Sequence, residues 1–252
     1  MVGCAAVGSV ARDRVVAEPV VGEIGKAELS GPVDDHGEPA EPASAPLAMP
    51  SVVAPKTCRD ALAAAHVEFA DASPSRTIVD PVKLAPTLGG VVFRHQSDPK
   101  PRWLWVDCKF ALRLHAAARM VASRGVWEVV HVGTYEPKCV GGGTPESQPG
   151  CTPSAHALGM AIDVVALVRE HDQVSFEKDF VKRTDDTATC ASPRVGEKDT
   201  FLKELVCALD GTFNVLLTPN WDERHRTHAH LALHPTAKAY WASGVDPKHA
   251  GE

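Results

Sequence analysis

The segment Asp107–Gly125, DCKFALRLHAAARMVASRG, carries Phe110, Leu114, Ala117 and Val121 at i, i+4, i+7 and i+11. That stripe is the apolar face of an amphipathic helix, and Gly125 is placed to end it. The alanine-rich run CRDALAAAHV (58–67) has the same spacing and predicts a shorter helix, ahead of Phe69 and a proline-punctuated stretch to Leu88. Phe201, Leu202, Leu205 and Leu209 predict a further helix that carries Cys207. Two other segments read as strands. Trp127–Val132 is rich in β-branched residues, and His228-Ala229-His230-Leu231-Ala232-Leu233 alternates with period two. The mixture predicts an α+β fold with a small central antiparallel sheet flanked by helices.

Upstream of this region the pattern is lost. All fourteen aromatic residues (Phe 7, Trp 5, Tyr 2) lie at or after Phe69, so no large ring anchors a core before it. Pro32, Pro39, Pro42, Pro46, Pro50 and Pro55 interrupt any helix or ladder there. Residues 1–55 therefore read as a disordered Pro/Ala-rich tether, 56–240 as the folded domain and 241–252 as a C-terminal tail. The start, Met1-Val2-Gly3-Cys4, has the small residues and cysteine that end a bacterial lipoprotein signal, without the basic and apolar parts such a signal needs. Two readings stay open: a start that falls too late, with Cys4 as a lipid-anchor candidate, or an incidental Cys4.

Of the 252 residues 44% are apolar, enough to bury a core, and no apolar run reaches the ~18 residues of a membrane span. A net charge of −6 has the wrong sign for a protein that neutralises phosphates, which excludes nucleic acid as the expected partner. A monomer is expected. Seven cysteines without a C-x-x-C pair point to an oxidising, extracytoplasmic setting in the periplasm or cell envelope. Apart from Cys4, the six cysteines Cys58, Cys108, Cys139, Cys151, Cys190 and Cys207 allow 15 connectivities. Cys139–Cys151 and Cys190–Cys207 each flank a loop, and the remainder leaves Cys58–Cys108.

The chemistry concentrates in Ser154-Ala155-His156-Ala157-Leu158-Gly159-Met160-Ala161-Ile162-Asp163. On one helix His156 and Asp163 would sit about 10 Å apart along the axis, too far for one ion. If Gly159 supplies a turn, the two approach from neighbouring extended segments as half of a metal site. The other half lies in the late histidine cluster His225, His228, His230 and His234. On a strand His228 and His230 share a face. Two histidines and an aspartate leave zinc an open fourth position, as catalytic sites do.

Ser154-x-His156-x-x-Gly159-x-Ala161-x-Asp163 followed by His228-x-His230 resembles zinc peptidases related to D-alanyl-D-alanine carboxypeptidases and murein endopeptidases. The closer resemblance is to the extensin-like C-terminal family of bacteria, through Gly133-Thr134-Tyr135, Cys139, the Ser154–Asp163 run, Cys207 and His225-x-x-His228-x-His230. It implies zinc held by His156, Asp163 and His230, with His228 as the auxiliary histidine beside the reacting water and a peptidoglycan peptide as substrate. Tyr135 and His225 belong to the matched pattern as residues around the site, and Ser154 suits a supporting hydrogen bond rather than nucleophilic attack.

Two departures stand out. The family pattern leads one to expect Tyr-x-Cys-Arg after the strand, whereas Tyr135 is followed by Glu136-Pro137-Lys138-Cys139, and Lys138 offers only a point charge where an arginine would grip a carboxylate with two bonds. The carboxypeptidase branch has a glutamate base three residues before the last zinc histidine, and Thr227 stands there. His228 is then the expected base, with Glu223 and Asp222 as loop carboxylates behind it. The expectation is a zinc-dependent peptidase of the cell envelope. The competing readings are a zinc-stabilised wall-binding or protein-interaction module, and a disulfide-rich extracellular domain without metal.

Overall fold

A computed structural model describes residues 55–170, 172–183 and 188–234. The tether but for Pro55, Cys4 and the 241–252 tail lie outside the described residues. Helix α1 (Cys58–Ala64) opens on a capping box, with the Thr57 hydroxyl accepting from Asp60 N and the Asp60 carboxylate accepting from Thr57 N. Strands β1 (Phe69–Asp71), β2 (Pro81–Leu84), β3 (Thr87–Leu88), β4 (Val91–His95) and β5 (Leu104–Asp107) follow. Helix α2 (Cys108–Ala122) occupies the long amphipathic segment, capped by the Asp107 carboxylate on Lys109 N. Its predicted stripe, Phe110, Leu114, Ala117 and Val121, is buried throughout. Beyond it lie β6 (Val126–His131), β7 (Ala161–Arg169), β8 (Asp172–Ser175), the short α3 (Phe176–Asp179), α4 (Gly196–Ala208), β9 (Val215–Leu217) and β10 (Ala229–Ala232).

The strands form two sheets. The smaller is β1-β2-β5, antiparallel throughout. The larger has seven strands in the order β3-β4-β6-β7-β10-β9, with β8 also paired to β7. Strand β7 is its axis: β6 covers one edge, while β10 takes residues 161–164 and β8 takes residues 166–169 of the other. The fold is α+β as expected, but the sheet is larger than the small antiparallel one expected and holds a parallel pair, β4 and β6. The cause is the connection, since β4 reaches β6 through β5 and α2, and a crossover of that length returns a strand in the same direction.

Side-chain alternation divides the large sheet. Phe93, Val129, Val164, Leu167, Ala229 and Leu231 meet Leu114 and Val121 of α2, Leu205 of α4 and Leu209 just after it in the main core. The other face carries Asp163, His230 and a small apolar set, Ala161, Val215, Leu217 and Ala232. Three disulfides staple the unit: Cys58–Cys108 joins α1 to α2, Cys139–Cys151 closes a loop, and Cys190–Cys207 fastens the segment before α4 to that helix. These are the three pairs expected from the sequence. Loops of 50, 12 and 17 residues correspond to about 3–4 kcal/mol each in the chain-entropy account. Among the described residues no helix is long and apolar enough to cross a membrane.

At the end of β6, His131 is buried beside His95, the rings meeting edge-on at 5.5 Å. Burial, reinforced by His95, lowers its pKa to about 4. The unfolded chain takes up this proton near pH 6.5 while the folded chain refuses it, so the stability is complete above pH 6.5 and declines as pH falls towards 4. We expect His131 to account for a loss of about 2 kcal/mol between pH 7 and pH 5. Urea unfolding at the two pH values measures it, and His131→Leu should shrink the difference relative to the parent. An unchanged difference would refute the assignment.

Candidate metal centre

From β6 the chain runs alongside β7, with Val132 N donating to Asp163 O (3.0 Å) and Asp163 N to Gly133 O (3.3 Å). It then enters the loop closed by Cys139–Cys151, where Gly141, Gly142 and Gly143 all take positive φ. The loop's stem is paired, with Val140 N donating to Thr152 O (2.8 Å) and Ser154 N to Lys138 O (2.9 Å). Next comes a tight turn over Ser154–Met160. The Ser154 hydroxyl accepts from Ala157 N (3.2 Å), Gly159 N donates to His156 O (3.0 Å), and Met160 N donates to Ala155 O (2.8 Å). This turn reverses His156 towards β7, as the sequence required of Gly159.

Gly159 has φ +64°, and a Cβ there would lie 2.8 Å from Ile78 Cδ1 and 2.9 Å from Asp107 N, the amide that donates to Gly159 O. The same contact docks the turn against the start of α2. Gly159→Ala meets both left-handed backbone strain, about 1–2 kcal/mol, and overpacking, about 1–3 kcal/mol. A destabilisation of about 2–4 kcal/mol in chemical denaturation is expected, and a change below 0.5 kcal/mol would contradict this role.

Asp163, third in β7, faces His230 across the antiparallel pair with β10. His230 Nδ1 lies 2.8 Å from Asp163 Oδ1, His156 Nε2 lies 3.2 Å from Asp163 Oδ2, and the two ring nitrogens are 3.2 Å apart. Ligands bound at 2.0–2.1 Å in a tetrahedron sit about 3.3–3.4 Å from one another. Two imidazole nitrogens and a carboxylate at nearly that spacing fit a zinc ion by both geometry and donor type. The cluster is mostly buried, with side-chain exposures of 15% for His156, 21% for Asp163 and 13% for His230. Burial opposes the charge on Asp163, but hydrogen bonds from His156 and His230 outweigh it and hold its pKa well below the carboxylate range. Burial lowers the pKa of His230 despite Asp163, which keeps an imidazole available for a cation.

His228, two residues before His230, brings Nε2 to 3.6 Å from Asp163 Oδ1. Burial lowers its pKa, with Asp163 pulling the other way. His225 packs between the others, its ring 5.2 Å from that of His228 and 5.8 Å from that of His230. Asp222 fixes it, with Oδ1 2.6 Å from His225 Nδ1 and accepting from His225 N (3.0 Å). The cluster forms the floor of an open cleft of about 610 Å³, walled by Glu136 and the Lys138–Gly142 segment on one side and by Arg224, His225 and His228 on the other.

Four residues singled out from the sequence play other parts. Glu223 is outside the cleft lining, its carboxylate directed to Arg226 (3.0 Å) and Lys182 (3.9 Å). Asp222 caps the short 3-10 turn Glu223–His225 and is bound to His225. Ser154 lines the cleft but spends its hydroxyl on the turn, and Tyr135 stacks on Trp105 at 4.8 Å on a neighbouring surface. Lys138 is at the cleft, paired with Glu136. Sequence reasoning missed Arg224, which lines the cleft and has no ion pair among the described residues. It lies outside the spacing motif, and only the fold of the 222–228 loop brings it there. A second grouping, Cys58, Asp80 and Cys108, offers no comparable site because its two cysteines are bridged to each other.

Residues 56–241 match the model of the family described as extensin-like protein C-terminus. No curated protein and no solved structure matches the chain.

Proposed function

The chain belongs to the extensin-like protein C-terminus family, and from that premise we propose that it is a zinc-dependent peptidase of the bacterial cell envelope that hydrolyses peptidoglycan peptides. The observation that carries the reading is the convergence of His156, Asp163 and His230, at zinc-ligand spacing, on the floor of an open cleft. When bound, zinc polarises the scissile carbonyl and makes a water acidic enough to attack near neutral pH. The side chains do the rest. His228, neutral because it is buried, accepts the proton of the attacking water and returns it to the leaving amine. His225, held by Asp222, packs against His228 and keeps its ring oriented.

Arg224 supplies the cation that the matched pattern would have placed after Tyr135, and it binds a substrate carboxylate from the opposite wall of the cleft. Three disulfides support an extracytoplasmic location. A second reading, a zinc-stabilised wall-binding module, is favoured by one feature: Thr227 stands where zinc carboxypeptidases carry a glutamate base.

Incubation of the zinc-loaded domain with purified muropeptides, followed by mass spectrometry, separates the two. New amine and carboxylate ends are expected, and they should disappear with chelation. Arg224→Ala should raise KM about tenfold for a peptide ending in a free carboxylate, the scale of one charge-assisted bond, with a smaller effect on kcat. A domain that holds zinc stoichiometrically and cleaves nothing would replace the peptidase with the binding module.

A further inference from the structure

Strand β5 and the residue before it have an unusual alternation. Along Trp103-Leu104-Trp105-Val106, Leu104 and Val106 face the core, while the two indoles face outward, Trp103 with 46% of its surface exposed. Trp105 pairs across the small sheet with Lys83, and Tyr135 stacks on Trp105. Leaving Trp103 exposed and Trp105 part-buried while smaller residues fill the interior is not how a sheet buries apolar area, and it marks a contact surface. A second cleft shares Arg102, Trp103 and Trp105 with the groove lined by Asp98, Trp103, Trp105 and Tyr135. The groove's polar rim includes Asp98 ion-paired to Arg102, so flat aromatic faces alternate with hydrogen-bonding groups whose charges cancel. On the groove's inner wall Trp105 Nε1 and His131 Nδ1 are buried with no hydrogen-bond partner among the described residues.

The groove adjoins the metal cleft, since Tyr135 lines the one and its neighbour Glu136 the other. The Thr134 hydroxyl donates to Trp105 O (3.2 Å), Gly133 O accepts from Asp163 N, and the next residues pass from Tyr135 in the groove to Glu136 in the cleft wall. A pyranose ring presents an apolar C–H face for stacking and a rim of hydroxyl and amide groups for Asp98 and Arg102. Peptides lack the flat repeating face, and a nucleic acid would meet a chain of net charge −6.

We propose that this groove binds a β-linked amino-sugar chain, so that a wall glycan lies across Trp103, Trp105 and Tyr135 while its peptide stem enters the metal cleft. The choice of an amino-sugar polymer rests on the peptidase reading, and the saccharide site itself rests on the groove. The test is titration of the full chain with chitotetraose, followed by tryptophan fluorescence and calorimetry, with cellotetraose, which has a hydroxyl in place of each acetamido group, as the comparison. Saturable binding is expected, tighter for chitotetraose, weakened at least tenfold by Trp103→Ala and retained by the zinc-ligand variant His230→Ala. Trp103 is half exposed, so its removal leaves the core intact, and circular dichroism confirms the fold. Absence of chitotetraose binding, or equal binding by Trp103→Ala, overturns the proposal. Equal affinity for cellotetraose overturns the amino-sugar assignment. Because this readout needs neither zinc nor cleavage, its failure is distinguishable from failure of the peptidase reading.

Discussion

His230→Ala should leave the protein unable to retain zinc. The loss should exceed the roughly 10–100-fold that follows from disturbing a ligand's hydrogen-bond partner, because a donor atom itself is removed. In the parent, ligand atoms from β7, β10 and the 154–160 turn converge within 3.2 Å of one another. Without the imidazole, Asp163 and His156 are a two-point site open to water. Metal content after dialysis measures the effect directly. A thermal shift gives an independent readout, since zinc at 100 times Kd should raise the parent's stability by about 2.7 kcal/mol and leave the variant unmoved. Stoichiometric zinc in His230→Ala would mean that the ion binds somewhere else.

The second large effect separates a ligand from a base. His228→Ala should keep zinc and lower turnover about 10²–10⁴-fold, the usual contribution of general acid–base catalysis. His228 Nε2 stands 3.6 Å from the nearest Asp163 oxygen, beside the trio rather than within it. Its lowered pKa sets the sign of the pH dependence: activity should be present at neutral pH and fall on the acid side as the ring gains its proton. That limb belongs to a coupled set, with His225 and His230 in contact, and reports the group rather than one ring. If Glu223→Gln abolished cleavage while His228→Ala preserved it, the loop carboxylate would be the base despite facing Arg226 and Lys182.

Much of this could be read from the chain because the signals were local. The stripe of α2 spans four turns with one apolar face, and the strand read at Trp127–Val132 is β6 with a one-residue offset. The pair of segments that meet at the trio was legible for a different reason. Gly159, at φ +64° against Asp107, lets His156 turn back, and period-two alternation puts His230 on the face of β10 that meets Asp163. What escaped was non-local. Strands β1, β2 and β5 run three to four residues each, and β2 finds β5 20 to 26 residues away, so no periodic window reveals them. The parallel pairing of β4 with β6 depends on where α2 docks. Arg224 and the outward Trp103 and Trp105 were missed because their significance lies in which surface they reach, which the fold alone decides.

The Cys139–Cys151 bridge has an implication for engineering. It closes residues 140–150 into a unit whose two ends are fixed side by side and whose stem is already paired, and Val140, Gly141 and Gly142 form part of the cleft wall. The strands that carry Asp163 and His230, and the 154–160 turn that carries His156, lie outside it. The segment is therefore a cassette: libraries of replacement sequences between the two cysteines would re-shape what the cleft admits while the metal-holding scaffold is inherited unchanged.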